Sequence, residues 1–212
     1  MEQRKYDPEK HHRRSIRLKE YDYSQTGAYF ITICAYNKEC IFGDVVDGKI
    51  ILNQYGEIVK AEWLKTFDIR KNLILDKYIV MPNHFHGIIM IVDGHDVGAT
   101  RRVAPTKRPN GPVPASIGAI IGQFKSIVTK RINAMRNTTG LPAWQRNYYE
   151  HIIRNEDELN QIREYIADNP IKWELDEENP INVGRVGGKN SNCRGTVHRA
   201  PTEGKKHVGR CK

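Results

Sequence analysis

The sequence predicts an α+β domain with antiparallel strands, and three observations carry that expectation. Runs dense in β-branched and aromatic residues, such as Ala28-Tyr29-Phe30-Ile31-Thr32-Ile33-Cys34-Ala35, alternate with longer stretches whose apolar residues recur every three to four positions. These are the marks of strands and of amphipathic helices. Neighbouring strand candidates are joined by turns of two residues, Asp47-Gly48 and Pro82-Asn83, and only antiparallel strands accept so short a connection. The chain has 212 residues, 39% of them hydrophobic, enough for one domain with a proper core and polar tails.

In chain order, residues 1–20 are polar and basic, with His11-His12-Arg13-Arg14 followed by Arg17 and Lys19. They read as an arm, either mobile or in contact with nucleic acid. Residues 28–35 form a central strand. Residues 41–52 form a hairpin whose arms are Val45-Val46 and Ile50-Ile51 and whose Asp47-Gly48 turn accepts positive φ. Asn53 caps a helix with one stripe made of Tyr55, Ile58, Val59, Trp63 and Phe67. Residues 73–81 are the next strand, and the turn at Pro82-Asn83 leads into a strand that begins His84-Phe85-His86.

Residues 93–115 break this pattern, with glycines and prolines crowded among Arg101, Arg102, Lys107 and Arg108; a loop this long within a compact domain is functional or disordered. Residues 98–106 are echoed at 195–202, and two copies do not make a repeat architecture. Ser116 caps a long helix with Ile117, Ile120, Ile121, Phe124, Ile127, Val128 and Ile132 on one face and Lys125, Lys130 and Arg131 off it. Residues 144–154 are aromatic and basic without helical periodicity, hence a packed strand or loop. Asn155 with Glu158 three residues on makes a capping-box-like start for a last helix, whose stripe is Leu159, Ile162 and Ile166. Its end is expected at Asn169, because Pro170 pushes the residue before it out of the α region.

The candidate chemistry begins with the histidines. Alternation along a strand puts His84 and His86 on one face and Phe85 on the other, and two neutral imidazoles at fixed spacing suit a divalent metal. On the last helix, Tyr165 and Asn169 are four residues apart and share a face beside the docking stripe. Thirty-four Lys and Arg against twenty-five Asp and Glu leave a formal charge of +9, pointing to a polyanionic partner over a small neutral substrate. Cys34, Cys40, Cys193 and Cys211 show no framework spacing, no run reaches transmembrane length, and residues 1–19 lack the apolar core of a signal peptide. A cytoplasmic protein with reduced thiols is therefore expected, without membrane contact.

Taken together, His84-Phe85-His86, Trp144-Gln145-Arg146 and Tyr165-Ile166-Ala167-Asp168-Asn169-Pro170 resemble the single-tyrosine HUH transposases. Arg14-Ser15-Ile16-Arg17-Leu18, Tyr21-Asp22-Tyr23 and Gly27-Ala28-Tyr29-Phe30 are similar, more narrowly, to the REP-associated tyrosine transposase branch, which acts on short palindromic hairpins. The resemblance covers about residues 14–180. It implies a ferredoxin-like (RRM-like) antiparallel sheet with helices packed on one face, over a domain spanning 21–182. It also implies a metal bound by His84, His86 and Asn169, Tyr165 as the nucleophile, and single-stranded or hairpin DNA as substrate, with the protein a monomer or a homodimer.

An open site of two imidazoles and an amide suits Mg²⁺ or Mn²⁺, although ligand type alone also admits Zn²⁺. Attack by the phenol would leave a 5′-phosphotyrosine whose ester bond a second strand end can reverse. Residues 183–212 carry eight basic residues against the single acid Glu203, and so form a flexible tail suited to phosphates. Arg14, Arg17, Lys125 and Arg146 are further candidates for DNA contact, and Tyr148 and Tyr149 for stacking on unpaired bases, while Trp144 is expected in the core. The rival is a ferredoxin-like nucleic-acid-binding protein without catalysis; a phosphoesterase using an activated water is a third reading, and it would leave no protein–DNA adduct.

Overall fold

The computed structural model describes residues 21–93, 115–176 and 178–182. The basic arm with Arg14 and Arg17, the loop at 94–114, both copies of the echoed segment and the tail 183–212 lie outside the described residues. Strand β1 (Gly27–Cys34) is followed by the hairpin β2 (Gly43–Val46) and β3 (Lys49–Leu52), helix α1 (Gln54–Asp68), strands β4 (Leu73–Val80) and β5 (His84–Ile91), helix α2 (Ile117–Met135), strand β6 (Tyr149–Ile153) and helix α3 (Glu156–Lys172). The four-stranded sheet has the order β4-β5-β1-β6, antiparallel throughout, and β2-β3 stand apart as a two-stranded ribbon. With the ribbon set aside, β1-α1-β4-β5-α2-β6 is the ferredoxin-like sequence of elements. Among the described residues no helix is long and apolar enough to cross a membrane.

Local chemistry starts the elements where the sequence predicts. Asn53 Oδ1 accepts from the amides of Tyr55 and Gly56 at 2.9 and 3.1 Å, satisfying two donors that the first turn of α1 leaves without partners. Ser116 caps α2 through Ala119 N and Asn155 caps α3 through Glu158 N. The hairpin turns at Asp47 and Gly48, with φ of 49° and 68°, the pair of positive angles that matches the twist of its arms. Residues 144–154 resolve into a loop and then β6, edge strand of the sheet.

Two expectations are corrected. Helix α3 does not stop at Asn169; it runs through Pro170 to Lys172. Proline removes one backbone hydrogen bond, and here both Asn169 and Pro170 are buried while the Asn169 side chain adds a bond to the Tyr165 carbonyl at 3.2 Å, so packing outweighs the local preference. The helices also do not share one face. Tyr29, Ile31, Ile33, Phe85, Ile89 and Ile91 pack on α1 and α2, whereas Phe30, Ile88, Tyr149 and Ile153 pack on Leu159, Ile162 and Ile166 of α3 across the sheet. Strand β5 is apolar on both sides, and each side needs a cover.

The α1/α2 side is the larger core and makes the platform rigid. Trp63 is fully buried against Phe85, Phe67 and Phe124, with ring centroids 4.5, 5.3 and 5.3 Å away. Gly87 makes room for it: a Cβ there would lie 2.7 Å from Trp63 Cζ2. Trp144 is buried between Phe42 and Phe124, as its expected core role requires, while Ile127 of the α2 stripe is only half-buried.

Candidate active site

Strand β5 turns His84, His86 and Ile88 toward α3, and the register with its neighbours sets their surroundings. His86 pairs with Thr32 of β1 on one side and Ile79 of β4 on the other, and His84 pairs with Cys34. The two rings have centroids 4.6 Å apart and are 2% and 1% exposed. Imidazoles this deeply buried are costly unless their nitrogens have polar partners.

Each ring is held through Nδ1. His84 Nδ1 is 2.9 Å from Asn83 Oδ1, and Asn83 Nδ2 donates to the carbonyls of Lys38 and Glu178 at 3.1 and 2.6 Å. Carbonyls only accept, so the nitrogen end of the Asn83 amide is assigned, its oxygen faces the ring, and Nδ1 carries the proton. That tautomer puts the lone pair of His84 on Nε2. His86 Nδ1 is 2.8 Å from Thr32 Oγ1, a hydroxyl able to accept in the same way. Partners of this kind orient imidazoles that bind metals.

Helix α3 brings the other two groups. The Tyr165 hydroxyl lies 3.4 Å from His86 Nε2, with its ring edge-on to His86 and Phe30 at centroid distances of 5.3 and 6.0 Å. Asn169, one turn on, is 3% exposed, and its Oδ1 has no hydrogen-bond partner. A buried acceptor left unsatisfied costs about 1–3 kcal/mol, and an amide oxygen is a ligand for hard cations. Among the described residues no group of three or more His, Cys, Asp and Glu is arranged for a metal. Burial pushes the Tyr165 phenol up to about 12, the Asn169 side chain pulling it back and the charges of Asp176 and Glu178 adding to the rise. It is a neutral phenol at physiological pH.

The candidate DNA-contact residues are spread more widely. Arg146 is exposed on the loop after Trp144, which meets the end of β1 through Gln145 N to Cys34 O at 2.9 Å, the same end of the sheet as His84. Lys125 Nζ donates to the carbonyls of Gln145, Arg146 and Asn147 at 2.6, 3.1 and 3.2 Å and so pins that loop; burial pulls its ammonium down to about 8. Tyr148 is half-buried and its hydroxyl donates to Glu150 Oε2 at 2.8 Å. Tyr149 is buried on the histidine face, edge-on to Phe30 at 6.3 Å. Sequence reasoning missed Thr32 and Asn83. A polar residue in an otherwise apolar strand and an amide directly before the first histidine were the available signals.

No protein-family model matches the chain. An uncharacterized protein of Haemophilus influenzae is 43% identical over 175 residues, which cover 82% of this chain and 96% of the relative. Among solved structures, a REP-associated tyrosine transposase bound to a REP hairpin aligns with a TM-score of 0.50 at 18% identity, over 75% of this chain and 74% of that one. That likeness is one of fold.

Proposed function

We propose, for a chain that belongs to one family with the uncharacterized Haemophilus influenzae protein and shares the transposase-like fold, that it is a single-stranded DNA endonuclease and strand transferase using Tyr165 as nucleophile. The observation that supports this reading most is the meeting of unlike groups on one face of the sheet: two imidazoles held through Nδ1, the Tyr165 hydroxyl 3.4 Å from His86 Nε2, and an orphaned Asn169 oxygen one turn on. A packing tyrosine has no need of the other three.

His84, His86 and Asn169 would hold Mg²⁺ or Mn²⁺, and the unsatisfied Asn169 oxygen is what makes the set fit. Such an ion supplies charge neutralisation and orientation at the scissile phosphate. Tyr165 Oη attacks the phosphorus, the Oη–P bond forms, and the P–O3′ bond breaks. The phenolic proton ends on the departing 3′-oxygen, and the 5′ side stays on the protein as a phosphotyrosine. The helix fixes the direction of attack, which matters because a neutral phenol near pKa 12 is a weak nucleophile unless aligned. Reversal with a second 3′-hydroxyl joins strands without an external energy source. The substrate proposed is single-stranded DNA that folds into a hairpin, in keeping with the chain's formal +9 charge.

Incubation with labelled hairpin DNA and Mn²⁺, followed by a denaturing gel, tests this. A covalent adduct is expected with the wild type and with Tyr148→Phe and Tyr149→Phe. Tyr165→Phe, His86→Ala and wild type with chelator should give none, with Tyr165→Phe still binding the hairpin. Adduct retained in Tyr165→Phe, or peptide mapping to Tyr149, would sink the assignment; binding with no adduct from the wild type would favour the non-catalytic module.

A further inference from the structure

We propose that Asn83 is a positioning residue for His84, and that the turn following α3 completes its grip. The inference rests on the reading of His84 as a metal ligand and adds a residue to that site.

Asn83 is 1% exposed, in the turn between β4 and β5, and every polar atom of its side chain is used. Its Nδ2 donates to the carbonyl of Lys38, in the short 3-10 turn after β1, and to that of Glu178, 95 residues along the chain. Its backbone carbonyl accepts from Ala35 N at 2.8 Å, which ties the same residue to the end of β1. The carboxamide is thus oriented from two sides by groups that can only accept, and the one end left to face His84 Nδ1 is its oxygen.

The turn that supplies the Glu178 carbonyl is itself held. Glu178 N donates to Asp176 Oδ1 at 2.7 Å, Asn179 Nδ2 donates to the Trp173 carbonyl at 3.0 Å, and the Glu178 carboxylate is ion-paired with Lys38 Nζ at 2.8 Å. Trp173 adds its ring, 5.9 Å from that of His84. This turn continues directly from the helix that carries Tyr165 and Asn169. The segment that follows the helix presenting the nucleophile therefore supplies a carbonyl that fixes the Asn83 amide and, through it, the nitrogen of His84 that carries the lone pair. An asparagine serving only the turn would satisfy its bonds without the ring.

The test is ¹⁵N NMR of histidine-labelled protein, metal-free, at a pH where the imidazoles are neutral, together with Mn²⁺ uptake followed by the electron paramagnetic resonance of the free ion. In the wild type, His84 is expected as the Nδ1–H tautomer. Asn83→Leu keeps the volume and removes the amide; it should turn His84 into a tautomer mixture and weaken Mn²⁺ uptake roughly 10- to 100-fold, the usual effect of losing such a partner. A wild-type His84 protonated on Nε2 overturns the inference without any variant, which covers the case in which the variant does not fold. Wild-type Mn²⁺ uptake with tautomer and affinity unchanged in Asn83→Leu overturns it alone. If the wild type takes up no Mn²⁺ yet Asn83→Leu still shifts the tautomer, the ligand reading fails and the role of Asn83 stands.

Discussion

Asn169 shows how the site and the stability of the fold pull apart. Its Oδ1 is buried without a partner and its Nδ2 donates to the Tyr165 carbonyl at 3.2 Å. Removing the side chain relieves a penalty of about 1–3 kcal/mol and forfeits a bond with a net value of about 0.5–1.5 kcal/mol. Asn169→Ala should therefore leave the denaturant midpoint nearly unchanged or slightly raised, while Mn²⁺ affinity and adduct yield fall at least about tenfold. A loss of more than about 2 kcal/mol with Mn²⁺ binding intact would mark the amide as structural. At this scale the sequence was partly legible. The four-residue spacing from Tyr165 to Asn169 follows from helix geometry alone. Thr32 sits on a different strand from His86, and only the β1–β5 register joins them.

The element that carries Tyr165 and Asn169 is α3, and it is tied to the sheet by more than its apolar stripe. Arg163 makes a two-pronged pair with Asp76 of β4, Nε to Oδ1 at 3.0 Å and the terminal nitrogen to Oδ2 at 2.6 Å, and Glu158 near the helix start accepts from His151 Nε2 of β6 at 2.7 Å. Glu158 also takes the Arg154 amide at 2.7 Å, so the capping box expected there is altered: the carboxylate serves the strand end and not the cap residue's own N–H. The Arg163 guanidinium holds the Asp76 carboxyl below its ordinary value of 3.8. A depressed carboxylate stabilises the fold above the unfolded pKa, and that contribution fades as the pH falls through the depressed one. Asp76→Asn is expected to cost about 1 kcal/mol or less at neutral pH, since the pair is partly exposed. It should also reduce hydrogen-exchange protection along α3, and its deficit against the wild type should shrink as the pH falls below 3.8. A deficit that stays constant into acid would show that the pair does not anchor the helix.

For the molecule as a whole, the sheet is a partition. One side is an aromatic and aliphatic core under α1 and α2; the other, under α3, mixes Phe30, Ile88 and Ile166 with His84, His86 and Asn169. The formal charge is spread unevenly along the sequence. Of the formal +9, most resides in the tail 183–212, with its eight basic residues and single acid. Deleting 183–212 should weaken hairpin binding and flatten its dependence on salt, because fewer counterions are released when fewer phosphates are neutralised. Binding measured across a salt series decides it, and an unchanged slope would mean that the tail does not touch DNA.

What the sequence determined by itself was whatever depends on near neighbours: the caps at Asn53, Ser116 and Asn155, the positive-φ turn at Asp47-Gly48, the shared face of His84 and His86, and the helical neighbours Tyr165 and Asn169. Periods of two and 3.6 residues are local properties and can be read without a partner. Only the tertiary structure decided which side of the sheet α3 covers, that the helix passes through Pro170, and that the carbonyl of Glu178 reaches Asn83. An amphipathic stripe says that a helix must bury one face, not which surface will take it. With β5 apolar on both sides the choice rests on packing across the whole sheet, which no local pattern encodes.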